Sequence, residues 1–134
     1  MGGLGEAAGK CIFDGIIKHK ITEITDPAKF ERFDFQLAED PDVFIDFKNW
    51  SESSLFDGAA YEQKCSEKLD SVGGKRLFVV NMFSNSNHPP YVSEIDKRII
   101  VFPRLIARNP RTGTYSTDNK MCETIGRSLE RFLK

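Results

Sequence analysis

Residues 33–48 read FDFQLAEDPDVFIDFK, two alternating apolar and polar runs on either side of a short polar turn. Alternating runs joined by a short turn that contains a proline are typical of a β-hairpin. If the turn centres on Asp40, the apolar residues of both strands share one face. The apolar pairs are then Leu37 with Val43, Phe35 with Ile45, and Phe33 with Phe47. A slip of one residue would scramble the faces, so this register is the favoured one.

The same register sets Asp34 directly opposite Asp46. Cross-strand Cβ atoms lie roughly 4.5–5.5 Å apart, and like charges at that spacing destabilise a sheet, so a cation is expected to compensate. Lys48 comes two residues after Asp46 and therefore projects from the same face. Two carboxylates and an ammonium on one face are typical of a divalent-metal hydrolytic site. The alternative is a solvated ion pair, in which Lys48 or Arg32 neutralises the aspartates.

The rest of the chain predicts a mixed α/β fold in the order α-β-β-α-β-β-α. The helices are expected over 4–19, 59–69 and 118–133, and the strands over 30–37, 43–48, 75–83 and 98–107. Their apolar residues recur at helical or strand spacing. Residues 21–24 are expected to be a short extended piece and residues 109–117 a loop. The sequence therefore predicts a central sheet with helices around it.

Composition is that of one soluble domain. The chain has 134 residues, of which 40% are hydrophobic and 29% charged, so residues 1–134 are expected to form a single domain. Both ends abut predicted elements, which favours a domain excised from a longer protein. The first residues lack the basic and apolar regions typical of a signal peptide, and no apolar run reaches membrane-spanning length, so neither a signal peptide nor a membrane span is expected. Three widely spaced cysteines suit a reducing, cytoplasmic setting.

Charge is unevenly distributed. Residues 1–96 hold ten basic and seventeen acidic residues, whereas residues 97–134 hold nine basic and three acidic ones. An acidic metal site next to a basic surface that binds a polyanion would show this asymmetry. Scattered charges on a solvated surface would also produce it. The candidate nucleic-acid contacts are Trp50, Gln63, Lys64, Arg104, Arg108 and Arg111. For each of them, an ordinary surface or rim position is the competing interpretation.

The motifs resemble the PD-(D/E)xK nuclease superfamily, whose fold is restriction-endonuclease-like. The resemblance is carried by Glu6 on the first helix, by Phe-Asp-Phe over 33–35, and by Ile-Asp-Phe-Lys over 45–48. It is strongest to helicase-associated members. Phe33 departs from the proline that names the motif, and Asp46 replaces the more frequent glutamate. Some members carry a Gln and then a Tyr on the next helix, but Tyr61 precedes Gln63 here.

The resemblance implies a helix-flanked mixed sheet and a Mg²⁺- or Mn²⁺-dependent nuclease that hydrolyses nucleic-acid phosphodiesters. It favours DNA over RNA as the substrate and a helicase in the same chain or complex. By position, Asp34 and Asp46 would be metal ligands and Lys48 the catalytic lysine. Glu6 would be the helix acid, although a helix salt bridge with Lys10 also explains it.

Two other functions remain open. One is a catalytically inactive, nuclease-like module that binds nucleic acid or a protein. The other is an RNA endonuclease of the viral cap-cleaving kind, which typically uses a metal-bound histidine. His19 and His88 are the only histidines, and neither is near the motif. The sequence therefore favours the first alternative over the second.

Overall fold

A computed structural model describes residues 3–24, 33–48, 59–82, 89–108 and 111–133. Its helices are α1 (Gly3–Ile12), α2 (Ala59–Val72) and α3 (Asn119–Leu133), and α1 continues into a π-helical turn (Phe13–Ile17). Its strands are β1 (Ile21–Glu23), β2 (Phe35–Leu37), β3 (Val43–Lys48), β4 (Arg76–Asn81), β5 (Tyr91–Val92), β6 (Ile99–Phe102), β7 (Ile106–Arg108) and β8 (Tyr115–Thr117).

Six of the strands form one mixed sheet in the order β1-β2-β3-β4-β6-β5. Strands β1, β2 and β3 form an antiparallel meander, while β4 runs parallel to β3 and β6 runs parallel to β4. Helix α2 lies in the connection from β3 to β4, as a parallel pair requires a crossover. Strands β7 and β8 form a separate hairpin. The predicted mixed α/β class, with its central sheet and helices, is confirmed.

The short extended piece expected over 21–24 is confirmed as strand β1, but the predicted order of elements is incomplete because the structure adds strands β5, β7 and β8. Strand β5 has two residues, too few to leave an alternating pattern in the sequence. The strand expected over 98–107 is divided, since the ladder ends after Phe102 and Pro103 has no N–H to continue it. The loop expected over 109–117 contains β8.

Apolar side chains pack on both faces of the sheet. The first cluster joins the sheet to α1, the π turn and α3, and the second joins it to α2. Strand β3 contributes to both: Val43, Ile45 and Phe47 lie in the first cluster and Phe44 lies in the second. Side chains on opposite faces of β3 are therefore covered by different helices.

The hairpin register is confirmed in the β2–β3 ladder, where Phe35 pairs with Ile45. The predicted pairing of Phe33 with Phe47 is wrong. Phe33 stacks on Phe44 in the second cluster, with ring centroids 4.7 Å apart. The chain bends at Asp34 before β2 begins, so the alternation of faces does not extend back to Phe33.

Local chemistry sets the start of α3 and the end of α2. Asp118 caps α3, because its Oδ1 accepts a hydrogen bond from the Met121 N–H at 3.0 Å. Helix α2 ends at Gly73, whose φ of 65° lies in the left-handed region that glycine tolerates. The Gly74 N–H then donates to the Leu69 carbonyl at 2.9 Å.

Helix α1 packs directly against β3 at Gly9. A Cβ atom at this position would lie 2.5 Å from a ring carbon of Phe47. The Phe47 ring is fully buried and packs edge-on against Phe13 and Phe35, so it has little room to move. The absence of a side chain at Gly9 therefore sets how closely α1 approaches the sheet.

Gly9→Ala is expected to destabilise the protein by about 1 kcal/mol. Overpacking a filled site costs about 1–3 kcal/mol, which exceeds the gain of about 1 kcal/mol from replacing a helical glycine with alanine. Denaturant unfolding measures the difference. Gly15→Ala is the matched control, because a Cβ atom there meets nothing within 4 Å. Equal or greater stability of the Gly9 variant would contradict this account of the α1 packing.

Candidate active site

Asp34 and Asp46 interlock at the point where β2 and β3 stop pairing. The Asp34 N–H donates to Asp46 Oδ1 at 2.8 Å, and the Phe47 N–H donates to Asp34 Oδ2 at 2.9 Å. Each carboxylate thus accepts one backbone hydrogen bond from the other segment of the hairpin. The two aspartates are not the directly opposed ladder pair that the sequence predicts, because the ladder ends at Phe35 with Ile45. Each carboxylate instead bonds to the backbone at or next to the other aspartate.

Burial disfavours the ionised form of this pair of carboxylates. Asp46 is only 4% exposed, and both its burial and the nearby Asp34 carboxylate raise its pKa. Two unit charges about 5 Å apart near a protein surface repel by roughly 3 kcal/mol. Lys48 acts in the opposite direction and lowers the pKa of Asp46, although it is the weakest of the contributions.

Tyr61 of α2 completes the contacts of Asp46. Its hydroxyl donates to Asp46 Oδ2 at 2.7 Å, so both oxygens of this carboxylate accept protein hydrogen bonds. Burial and the Asp46 charge together raise the Tyr61 pKa, and the phenol therefore stays protonated as a donor. Cys65, one turn later on α2, also contacts Tyr61 and has its pKa raised to about 11 by burial.

Lys48 lies on the same face as Asp46. Its Nζ is 4.8 Å from the centroid of the Tyr61 ring, within the range of a cation–π contact. Since Tyr61 contacts both side chains, Asp46 and Lys48 converge on one residue of α2. The sequence-based placement of these two groups on one face is therefore confirmed.

Asn81 is a further polar residue beside this site. It is the partner of Lys48 in the parallel β3–β4 ladder and therefore lies on the same face of the sheet. It is fully buried, and its Nδ2 donates to the Pro103 carbonyl at 3.1 Å. This bond links β4 to the chain that leaves β6, at the carboxyl end of three parallel strands, where α/β proteins commonly bind ligands.

Glu6 lies on α1, one helical turn before the contact of Gly9 with Phe47. Phe47 points towards α1, whereas the neighbouring Asp46 points towards α2 and bonds to Tyr61, so α1 covers the face of β3 opposite Asp46. The Glu6 side chain lies outside the described part of the structure. The helix-acid role that the resemblance implies for Glu6 stays a prediction.

The donor set fits Mg²⁺ or Mn²⁺. Mg²⁺ takes one or two carboxylates and retains several waters, and Asp34 with Asp46 supplies two. Asp34 Oδ1 has no donor among the residues that the structure describes, which leaves its lone pairs open to a ligand. Within those same residues, no group of three or more His, Cys, Asp or Glu side chains could bind a metal. Any further ligands would be water, substrate oxygens or Glu6.

The candidate nucleic-acid contacts that the structure describes lie on separate elements. Gln63 and Lys64 are exposed on α2, and Arg111 is exposed between β7 and β8. Arg104 is half-buried, and its Nε donates to Asp118 Oδ2 at 2.7 Å. Trp50 and the side chain of Arg108 lie outside the described part of the structure; the backbone of Arg108 pairs with Tyr115.

Sequence reasoning missed two parts of the site. The sequence assigns Tyr61 no contact with the aspartates, whereas its hydroxyl donates to Asp46. Asn81 is not predicted at all. Both positions depend on long-range packing of α2 and β4 against β3. A polar residue ending an otherwise apolar strand, as Asn81 does, is the one local signal that points to it.

Comparison with known proteins finds no protein-family model that matches this chain and no match among curated proteins. None of the helices in the described residues is both long enough and apolar enough to span a membrane.

Proposed function

We propose that the chain is a Mg²⁺- or Mn²⁺-dependent nuclease domain of the restriction-endonuclease-like class. The observation that carries this proposal is the interlocked Asp34–Asp46 pair, with Lys48 on the face of Asp46. A mixed sheet with helices on both faces also supports it, since the resemblance implies that architecture. DNA as the substrate, an accompanying helicase and a cytoplasmic location rest on the resemblance and the composition.

In this proposal Asp34 and Asp46 would bind the divalent cation. When bound, the cation neutralises charge on the phosphate and makes a bound water more acidic. Tyr61 fixes the orientation of Asp46 through its bond to Oδ2. A fixed carboxylate needs little reorganisation before binding, which is the advantage of a pre-arranged site.

Lys48 would orient the attacking water or stabilise the developing negative charge. Its stem leaves β3 beside Asp46, and its ammonium group lies over the Tyr61 ring. A pre-placed cation of this kind stabilises charge that appears only in the transition state. The resemblance also gives a supporting role to Glu6 of α1, either through a water or by acting on the nucleophile.

Cleavage of a substrate panel tests the proposal. Labelled single-stranded, double-stranded and branched DNA, and RNA, are incubated with the domain in Mn²⁺ or in EDTA. We expect at least one of these substrates to be cut in Mn²⁺ and none in EDTA, because the carboxylate pair alone cannot neutralise the phosphate. Cutting that is unaffected by EDTA would contradict the metal-dependent mechanism.

A second candidate is a nuclease-like module that binds nucleic acid or a protein without cleaving. The observation that favours it is that Asp46 already satisfies both oxygens with protein donors. Such saturation suits a carboxylate with a structural role. Calorimetry distinguishes the two candidates: absence of Mg²⁺ or Mn²⁺ binding that depends on Asp34 and Asp46 would favour the second.

A further inference from the structure

Helix α3 presents a stripe of alternating charge on its outward side. The stripe consists of four exposed residues: Lys120, Glu123, Arg127 and Glu130. Their spacing of three, four and three residues sets them along one side of the helix, whereas Ile125 and Leu129 pack into the core on the other side. Along the helix the charges therefore read positive, negative, positive, negative.

This order of charges is complementary to itself when reversed. If a second copy of α3 lies antiparallel to the first, with a two-fold axis at the level of Ile125, positions equally far from that level face each other. Glu123 then faces Arg127 of the second copy, and Lys120 faces Glu130 of the second copy. A two-fold axis repeats each contact, so every contact between the two stripes joins opposite charges.

Ion pairs within the helix are the competing role for these charges. Glu123 and Arg127 are four residues apart, a spacing at which helical side chains meet. Among the residues that the structure describes, however, the side chains of the stripe form no ion pair with one another. The charges of a single copy therefore face outwards, where a second copy can reach them.

An exposed apolar side chain and a glycine adjoin the stripe. An open groove separates the π-helical turn from α3, with Ile16 on one wall and Gly126 on the other. Ile16 is 48% exposed, and covering it would add hydrophobic stabilisation to charge pairs that contribute little when they are fully solvated. Gly126 has no side chain and leaves room for a second helix beside the stripe.

We propose that the chain forms a symmetric homodimer through α3, with the Glu123–Arg127 contacts on either side of the two-fold axis and Ile16 covered at the edge. The proposal goes beyond the proposed function and does not depend on it. Helix α3 packs on the face of the sheet that contains Phe47, whereas Asp46 bonds to Tyr61 of α2 on the opposite face. The dimer therefore leaves the candidate site of each copy uncovered.

Sedimentation velocity of the purified chain tests the dimer from about 1 μM to about 1 mM, a range that spans the affinities of small interfaces. The mass of the wild type is expected to rise from one copy to two across this range. Arg127→Glu and Glu123→Arg each place like charges opposite one another at two symmetric contacts. Each is expected to weaken self-association at least about tenfold, with an unchanged circular dichroism spectrum because both positions are exposed.

Mixing the two variants distinguishes a contact between copies from a contact within one helix. In a dimer of one Arg127→Glu chain and one Glu123→Arg chain, both central contacts again join opposite charges. An equimolar mixture is therefore expected to dimerise with an affinity close to that of the wild type. Mixing changes nothing within either helix, so a purely intrahelical role predicts that the mixture stays monomeric.

Lys64→Glu is the matched control, because it reverses an exposed charge on α2, on the other side of the sheet, and should dimerise as the wild type does. A wild type that stays monomeric over the whole range would overturn the proposal. So would single variants that dimerise normally, or a mixture that does not recover the dimer.

Discussion

Lys48→Ala is expected to reduce phosphodiester cleavage by about 10²–10³-fold while the protein remains folded. This is the loss that follows when one pre-placed group that stabilises transition-state charge is removed. The structural cost should be small, since Lys48 is half-buried and its contact with the Tyr61 ring is worth about 0.5–1 kcal/mol. Single-turnover cleavage in Mn²⁺ measures the rate, and circular dichroism confirms the fold.

Lys120→Ala controls for the loss of one positive charge, because Lys120 is exposed on α3 and outside the site. Lys48→Arg retains the charge with a different shape, and its partial activity would separate charge from geometry. A Lys48→Ala protein that cleaves at the wild-type rate would remove Lys48 from the mechanism.

The sequence predicts the parts of the site that depend on local pattern. Two alternating runs and a polar turn are sufficient to define the β2–β3 register, because a slip would expose an entire apolar face. Strand alternation alone places Lys48 on the same face as Asp46. The cap of α3 at Asp118 follows from equally local chemistry.

The wrong prediction at Phe33 arises because a side-chain hydrogen bond replaces the regular pairing of the two strands. Asp34 Oδ2 accepts the Phe47 N–H, and the chain bends there, so Phe33 moves to the face of Phe44. The alternation of apolar and polar residues does not show that a carboxylate will accept a backbone N–H in place of a carbonyl on the neighbouring strand. The contacts of Tyr61 and Asn81 require knowledge of which helix and strand pack beside β3, and no spacing in the sequence encodes that.

A metal-dependent gain in stability that disappears in Asp46→Asn is the second large effect expected. A cation that binds only the folded protein stabilises it by about 2.7 kcal/mol at one hundred times its dissociation constant. Mn²⁺ should therefore raise the wild-type melting temperature by several degrees. The Asp46→Asn protein should show no such rise, since it lacks one of the two carboxylates.

Without metal, Asp46→Asn should be at least as stable as the wild type at neutral pH. The pKa of Asp46 is raised in the folded protein, chiefly by burial and then by Asp34. Its ionised form therefore lowers the free energy of unfolding above the unfolded-state pKa, and this cost vanishes in acid. The amide preserves the local bonds, because its oxygen can accept the Asp34 N–H and its nitrogen can donate to the Tyr61 hydroxyl.

Thermal unfolding with and without Mn²⁺ measures both effects, and Asp14→Asn, which removes an exposed charge, is the control. A site that costs stability when empty and restores it when filled is built for a cation, whereas a structural carboxylate would lose stability on conversion to the amide and show no response to Mn²⁺. Equal Mn²⁺ stabilisation of the wild type and Asp46→Asn would place any bound ion elsewhere and leave the aspartate pair without a catalytic role.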